Sequence, residues 1–161
     1  MPLLACEVAD RRLALRAMEV REVVRAVAVA PLPNAPDVVD GVINLRGEPV
    51  PVLDVRRRFG LAASEVSPRE HFVVARAGPR TVALRVDRAL ELVEVPEVAI
   101  RSAEPAVPGA EGVEGIALLP DGLLVIYDLA RFLSPGEAAA LDEARRADRR
   151  RSSASEREEA G

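Results

Sequence analysis

Gly41–Leu61 reads GVINLRGEPVPVLDVRRRFGL. Its apolar residues predict one strand over Val38–Leu45 and another over Val50–Asp54. Arg46-Gly47-Glu48 predicts the tight turn between them, with Gly47 supplying a positive φ. Pro49 and Pro51 each lack a ladder donor, which predicts an edge strand or a bulge and not a sheet centre. Val55–Phe59 predicts a short basic helix stopped by Gly60.

The same unit occurs twice. Gly115–Phe132, GIALLPDGLLVIYDLARF, aligns on it without a gap at an offset of 74, placing Gly41 on Gly115, Val52 on Ile126 and Asp54 on Asp128. Ala14–Val24 (ALRAMEVREVV) aligns on Ala83–Val93 (ALRVDRALELV) at an offset of 69. Two repeats in the same order point to tandem duplication. The five-residue difference places one insertion within 103–114. A duplicated unit with no catalytic constellation in either copy points to a binding module.

Composition narrows the class. Aromatics are four in number (Phe59, Phe72, Phe132, Tyr127), so the core must be built from Val, Leu, Ile and Ala, which favours strands where Val is dense. All 22 basic residues are Arg, and the net charge of −4 argues against a general nucleic-acid binder. Cys6 alternates with Leu4 and Val8 on a predicted half-buried strand and reads as a small buried hydrophobe. One His and one Cys cannot build a multi-ligand His/Cys metal site, and His71 precedes a predicted strand without a partner nucleophile. The glycines form no phosphate-binding loop. No stretch is apolar and long enough to span a bilayer. The expectation is a cytosolic non-enzyme with no cofactor, no nucleic-acid partner and no direct membrane insertion.

Along the rest of the chain, Asp10-Arg11-Arg12 predicts a polar turn before a strand over Leu13–Arg16. One helical turn near Met18 leads into period two at Val23, Arg25, Val27 and Val29. The prolines at 31, 33 and 36 forbid regular structure there. Residues 62–70 form a connector, after which Phe72–Arg76 and Thr81–Val86 form a hairpin about Gly78-Pro79. Ser134-Pro135-Gly136-Glu137 is a capping box for a helix over 134–151 with Ala138, Leu141 and Ala144 on its apolar face; 152–161 has no core-forming residue and is expected to be disordered. Its Arg cluster reads as a solvated face balanced by Glu137, Asp142, Glu143 and Asp148.

Val20–Arg25, Pro31–Leu61, Ala83–Val95 and Gly115–Leu133 together resemble the CheW family, the coupling proteins of bacterial chemosensory arrays. The resemblance spans about Leu4–Leu133 and implies an all-β fold of two five-stranded SH3-like barrels packed side by side. On that reading barrel one covers about 1–65 and barrel two about 66–133, with strands free to exchange at the boundary. It implies a scaffold, recruited to receptor arrays at the inner membrane, that bridges chemoreceptor cytoplasmic tips and the regulatory domain of the histidine kinase CheA. Other CheW-like proteins are a further partner class. The alternative is an accessory member that binds only receptor or only kinase.

By resemblance, Val20, Glu22, Val23, Val24, Arg46, Ala89 and Leu90 face the receptor. Glu22 and Arg46 suit a bidentate ion pair that locks the hairpin turn to the first repeat strand. Val20, Val23 and Val24 read equally as groove anchors or as core. The kinase-facing candidates are Gly41, Val42, Asn44, Gly47, Leu118 and Leu123, on the two hairpins. Gly41 and Gly47 carry a structural role as well. Asp54 and Asp128 read as N-caps of the short helices.

Overall fold

The computed structural model describes residues 1–102 and 112–160. Eleven strands form among the described residues: β1 Pro2–Val8, β2 Arg11–Arg16, β3 Val20–Arg25, β4 Val39–Leu45, β5 Glu48–Asp54, β6 His71–Ala77, β7 Arg80–Val86, β8 Arg88–Glu94, β9 Ile100–Ser102, β10 Val113–Leu119 and β11 Gly122–Tyr127. A helix, α1, follows over Pro135–Ala160. The strands make two sheets, in the orders β8-β1-β2-β11-β10-β9 and β3-β6-β7-β5-β4. Each sheet closes on itself. Past β3 the chain continues to Ala30, which exchanges both backbone hydrogen bonds with Val42 of β4. Past β8 it passes through a 3-10 turn at Glu97–Ala99 into β9, which pairs with β10.

The duplication holds down to ladder register. Val52 faces Ala83 and Leu53 faces Leu84 across the parallel pair β5–β7. Their repeat mates, Ile126 with Ala14 and Tyr127 with Leu15, face each other across β11–β2. The hairpins β4–β5 and β10–β11 carry the same bulge, at Val39/Gly41 and at Val113/Gly115. Those glycines are required. A Cβ on Gly41 would lie 2.2 Å from the Ala30 carbonyl oxygen, and one on Gly115 would lie 2.6 Å from Ile100 Cγ2.

The sheets do not divide the chain near residue 65. The β1–β2 hairpin joins β8–β11, and β6–β7 join β3–β5, so the halves exchange their leading hairpins. This exchange explains the core. Ile43, Val50, Val52, Phe72, Val74 and Ala83 fill one barrel. Leu3, Ala5, Ala14, Ala117, Leu124 and Ile126 occupy the matching positions in the other. The largest cluster lies between the barrels and takes Leu4, Cys6, Leu13 and Leu15 from one sheet and Val73, Val82, Leu84 and Val86 from the other. Strand β1 is therefore buried on both faces, not half-buried as its alternation suggested. Cys6 is fully enclosed, and burial pushes its thiol up to about 12, which keeps it unreactive.

Other departures from expectation are local. The first turn is Ala9-Asp10, both at positive φ, not Asp10-Arg11-Arg12. Strand β5 lies between β7 and β4 only over Val52–Asp54; over Glu48–Pro51 it pairs with β4 alone and is an edge among the described residues. Its prolines are accommodated because β7 pairs only with Val52–Asp54, leaving Pro49 and Pro51 beyond β7's reach. In β3 Val23 and Arg25 face outward while Val20, Glu22 and Val24 turn inward, so within the strand the period-two set read from the sequence is the outer face; Val29, past its end, packs on the first barrel's interior. Helix α1 runs past residue 151 because no Gly or Pro interrupts it before Gly161, and Ser, Arg, Glu and Ala all tolerate helix. The insertion expected within 103–114 falls, over 103–111, outside the described residues.

Candidate functional surfaces

Two hairpin tips and two edge strands carry the residues singled out from the sequence. The β4–β5 turn has two residues, Arg46 and Gly47, with φ of 50° and 87°. Positive φ at both positions is the type I′ hairpin geometry, and for Arg46 it is an uncommon one. Asn44 Oδ1 accepts the Gly47 N–H at 2.7 Å and braces the turn from within. Arg46 then reaches across to β3, where Nη1 and Nη2 donate to Glu22 Oε1 and Oε2 at 3.0 and 2.5 Å. The bidentate pair expected from the sequence is formed. The hydrogen bond from Arg46 holds the Glu22 carboxyl below the usual carboxylate range. Arg21 extends the lattice, donating to Glu48 at 3.1 Å.

Around this clamp the candidate residues separate by exposure. Val23 is exposed on β3, whereas Val20 and Val24 are half-buried. Val20 packs on the shared core and Val24 on the first barrel's interior. Val20 also lines a groove of about 310 Å³ with Met18, Arg21, Arg76 and Arg80. On β8, the repeat mate of β3, Ala89 is half-buried and Leu90 exposed. Leu92, which the sequence reading did not single out, is more exposed than either at 72%.

The two hairpins are equivalent in backbone and different in chemistry. Asn44 faces Pro49 across β4–β5, and at the same place on β10–β11 Leu118 faces Leu123. Leu118 and Leu123 are 74% and 59% exposed. Exposed apolar side chains paired across a hairpin are costly in water unless a partner covers them. Gly41 is buried against Ala30 and contributes no side chain, while Val42 is half-buried beside it and Gly47 is exposed at the turn.

A buried charge network stands behind the first barrel, and its members were missed as site residues. Arg85 is 1% exposed. Its Nε donates to Glu70 Oε1 at 2.7 Å and its Nη1 to Asp40 Oδ2 at 3.1 Å, and further bonds reach the carbonyls of Ser64 and Glu65 at 2.9 Å each. Arg56 bridges Glu70 and Asp87. Burial pushes the Glu70 carboxyl up, but the bonds from Arg85 and the Ser67 N–H outweigh it and hold the group low. Asp40 moves the other way: burial and the neighbouring Asp54 raise it against the pull of Arg85. The signal was the repeated Ala-Leu-Arg triplet. Arg16, the mate of Arg85, pairs with Glu114, the mate of Asp40, at 3.0 Å. The network ties the connector 62–70 to the barrel; it is architecture.

Asp54 and Asp128 cap their 3-10 turns as expected, accepting from the Arg56 and Ala130 N–H groups at 3.0 Å each. His71 lies in β6, opposite Val86. Among the described residues no group of three or more His, Cys, Asp or Glu side chains could hold a metal ion, and no helix is long and apolar enough to cross a membrane.

Comparison with known proteins agrees with this architecture. The CheW-like domain profile matches residues 2–137. The chain is 38% identical to the chemotaxis protein CheW of Rhizobium meliloti (strain 1021) over 93 residues, 58% of this chain and 60% of that protein's length. It is 32% identical to the chemotaxis protein CheW of Klebsiella aerogenes over 127 residues, covering 78% of this chain and 76% of that one. The crystal structure of the scaffolding protein TtCheW from Thermoanaerobacter tengcongensis superposes with a TM-score of 0.75 at 27% identity, over 84% of this chain and 94% of that chain.

Proposed function

The chain belongs to the CheW-like family, and from that premise we propose that it is a non-enzymatic chemotaxis adaptor coupling chemoreceptors to a CheA-type histidine kinase. The observation that carries the reading is the unlike chemistry of two like hairpins. One tip is polar and clamped by Glu22–Arg46; the other presents Leu118 and Leu123. A coupler needs two different surfaces on one rigid body, and duplication followed by divergence supplies them: the Glu22–Arg46 clamp over β3 for one, and Leu118 and Leu123 for the other.

The first barrel's clamp, with Val20, Val23 and Val24 beside it and Ala89 and Leu90 on the matching strand, is the receptor-facing surface in this proposal. An apolar strip flanked by charge suits the side of a helical hairpin. Val42, Asn44 and Gly47 with Leu118 and Leu123 face the kinase regulatory domain, with Gly41 acting through the backbone it positions. The protein works in the cytoplasm, recruited to receptor arrays, and other CheW-like proteins can share those contacts. Each contact is of modest affinity and array valency supplies the rest. Titration against a receptor-tip fragment and against the regulatory domain of the kinase encoded nearby tests this. Binding to both is expected. Binding to neither overturns the coupling role, and binding to one alone restricts the chain to an accessory.

A further inference from the structure

The family reading leaves α1 without a task. Its capping box is formed: the Glu137 N–H donates to Ser134 Oγ at 3.1 Å and the Ser134 N–H to Glu137 Oε1 at 2.9 Å. From there the helix leaves the second repeat and lies on the first barrel, burying Leu141 and Ala144 in the shared core. Three arginine links fix it. Arg58 donates to Glu137 at 2.6 and 3.0 Å, Arg80 to Asp142 at 2.6 and 2.9 Å, and Arg145 Nη2 to the Pro49 carbonyl at 3.2 Å.

The third link differs in kind. Pro49 lies four residues before Leu53, the middle of the short β5–β7 ladder, and three after Arg46. Among the described residues, beyond Val52 the β4–β5 hairpin has no neighbouring strand on its β5 side. What steadies its tip is lateral: β3 on one side, through Glu22–Arg46 and Arg21–Glu48, and α1 on the other, through Arg145. The held segment contains Arg46 at a φ of 50°, a conformation that a loosened turn would leave readily.

We infer that α1 is the positioning element of the β4–β5 hairpin, which carries the receptor-facing Arg46, and that Arg145, through the Pro49 carbonyl, is its positioning residue. The helix is then part of the coupling surface without touching the receptor. The inference rests on the receptor-facing reading of Arg46 and Glu22, and its test separates the two. Amide hydrogen exchange at Gly47, Glu48 and Val50 and affinity for a receptor-tip fragment are measured in Arg145→Ala, Arg145→Lys and Arg146→Ala. Arg146 lies on the same helix and donates to Glu143, not to the barrel, so its variant is the control.

Arg145→Ala should exchange about tenfold faster at those amides, with the β6–β7 amides unchanged, and bind the fragment about threefold to tenfold more weakly. Arg145→Lys should recover part of both effects, and Arg146→Ala should match the parent. Unchanged hairpin exchange in Arg145→Ala overturns the inference. Faster exchange everywhere also overturns it, since that is ordinary destabilisation. If exchange rises locally and no variant, the parent included, binds the fragment, the positioning role stands and the receptor reading falls.

Discussion

Glu22 and Arg46 show how far one pair of side chains can be read from sequence. Their types and the turn between β4 and β5 were legible; that they meet in bidentate geometry depended on β3 lying beside the hairpin. If the pair acts as a unit on the receptor surface, the Glu22→Ala and Arg46→Ala losses in receptor affinity should fail to add in a double-mutant cycle. Its pH behaviour has a definite sign. A carboxyl held low contributes stability that is in place above the unfolded value, about 4.3 for Glu, and is lost as pH falls through the lower folded value. Asp40 is the opposite case. Its contribution is present below the unfolded value, about 3.9, and is lost as pH rises through the raised folded value. Carboxyl carbon NMR titration should place the Glu22 midpoint below, and the Asp40 midpoint above, those values. Glu70→Gln removes the main partner of a buried arginine and should cost about 3 kcal/mol in urea unfolding, with Asp40→Asn costing less. Arg85 itself was hidden. An Arg in an alternating Val-rich strand reads as an outward residue, and only the folded structure reveals that it points inward onto the Glu70 and Asp40 carboxylates and the Ser64 carbonyl of the connector.

At the scale of the element, the strands and turns followed from local chemistry, and the errors came from neighbours. The prolines of β5 suggested an edge strand or a bulge; they lie where β5 has only β4 beside it, but the strand becomes internal at Val52–Asp54, where β7 joins it. The apolar residues of β3 kept their period, but the inward phase is Val20, Glu22 and Val24, of which Val20 packs on the shared core and Val24 on the first barrel's interior. Gly41 and Gly115 were legible as repeat mates, while their necessity is tertiary. Gly41→Ala forces a Cβ onto the Ala30 carbonyl at a φ of 153° and should cost about 3 kcal/mol. Thermal melts of Gly41→Ala beside Gly47→Ala check this, since Gly47 has open space around its missing Cβ and a smaller loss is expected. For α1 the apolar face has only one large residue among Ala138, Leu141 and Ala144, and that residue, Leu141, is fully buried. Leu141→Ala should therefore lose about 3 kcal/mol, and an unchanged urea midpoint would show that α1 is only loosely applied.

For the whole molecule, exchange of the β1–β2 and β6–β7 hairpins puts the largest apolar cluster between the barrels. Neither barrel can lose that cluster alone. Unfolding should be a single transition by circular dichroism and by Tyr127 fluorescence, and Leu84→Ala, on the shared face, should move both probes together. Two separated transitions would show independent barrels. The same shared core suits a coupler, because it joins the two barrels through packed side chains.

The sequence by itself determined the duplication, the strand and turn chemistry of each copy, the capping residues Asp54 and Asp128, and the residue types of both hairpin tips. These follow from period-two burial, proline and glycine backbone limits, and side chains that bond within a few residues of themselves. Tertiary structure alone decided which hairpin joins which barrel, which face of β3 is inward, that Arg85 is buried, and that α1 lies against Pro49. Those depend on partners tens of residues away, whose approach is set by the packing of the shared core and leaves no periodic trace in the chain.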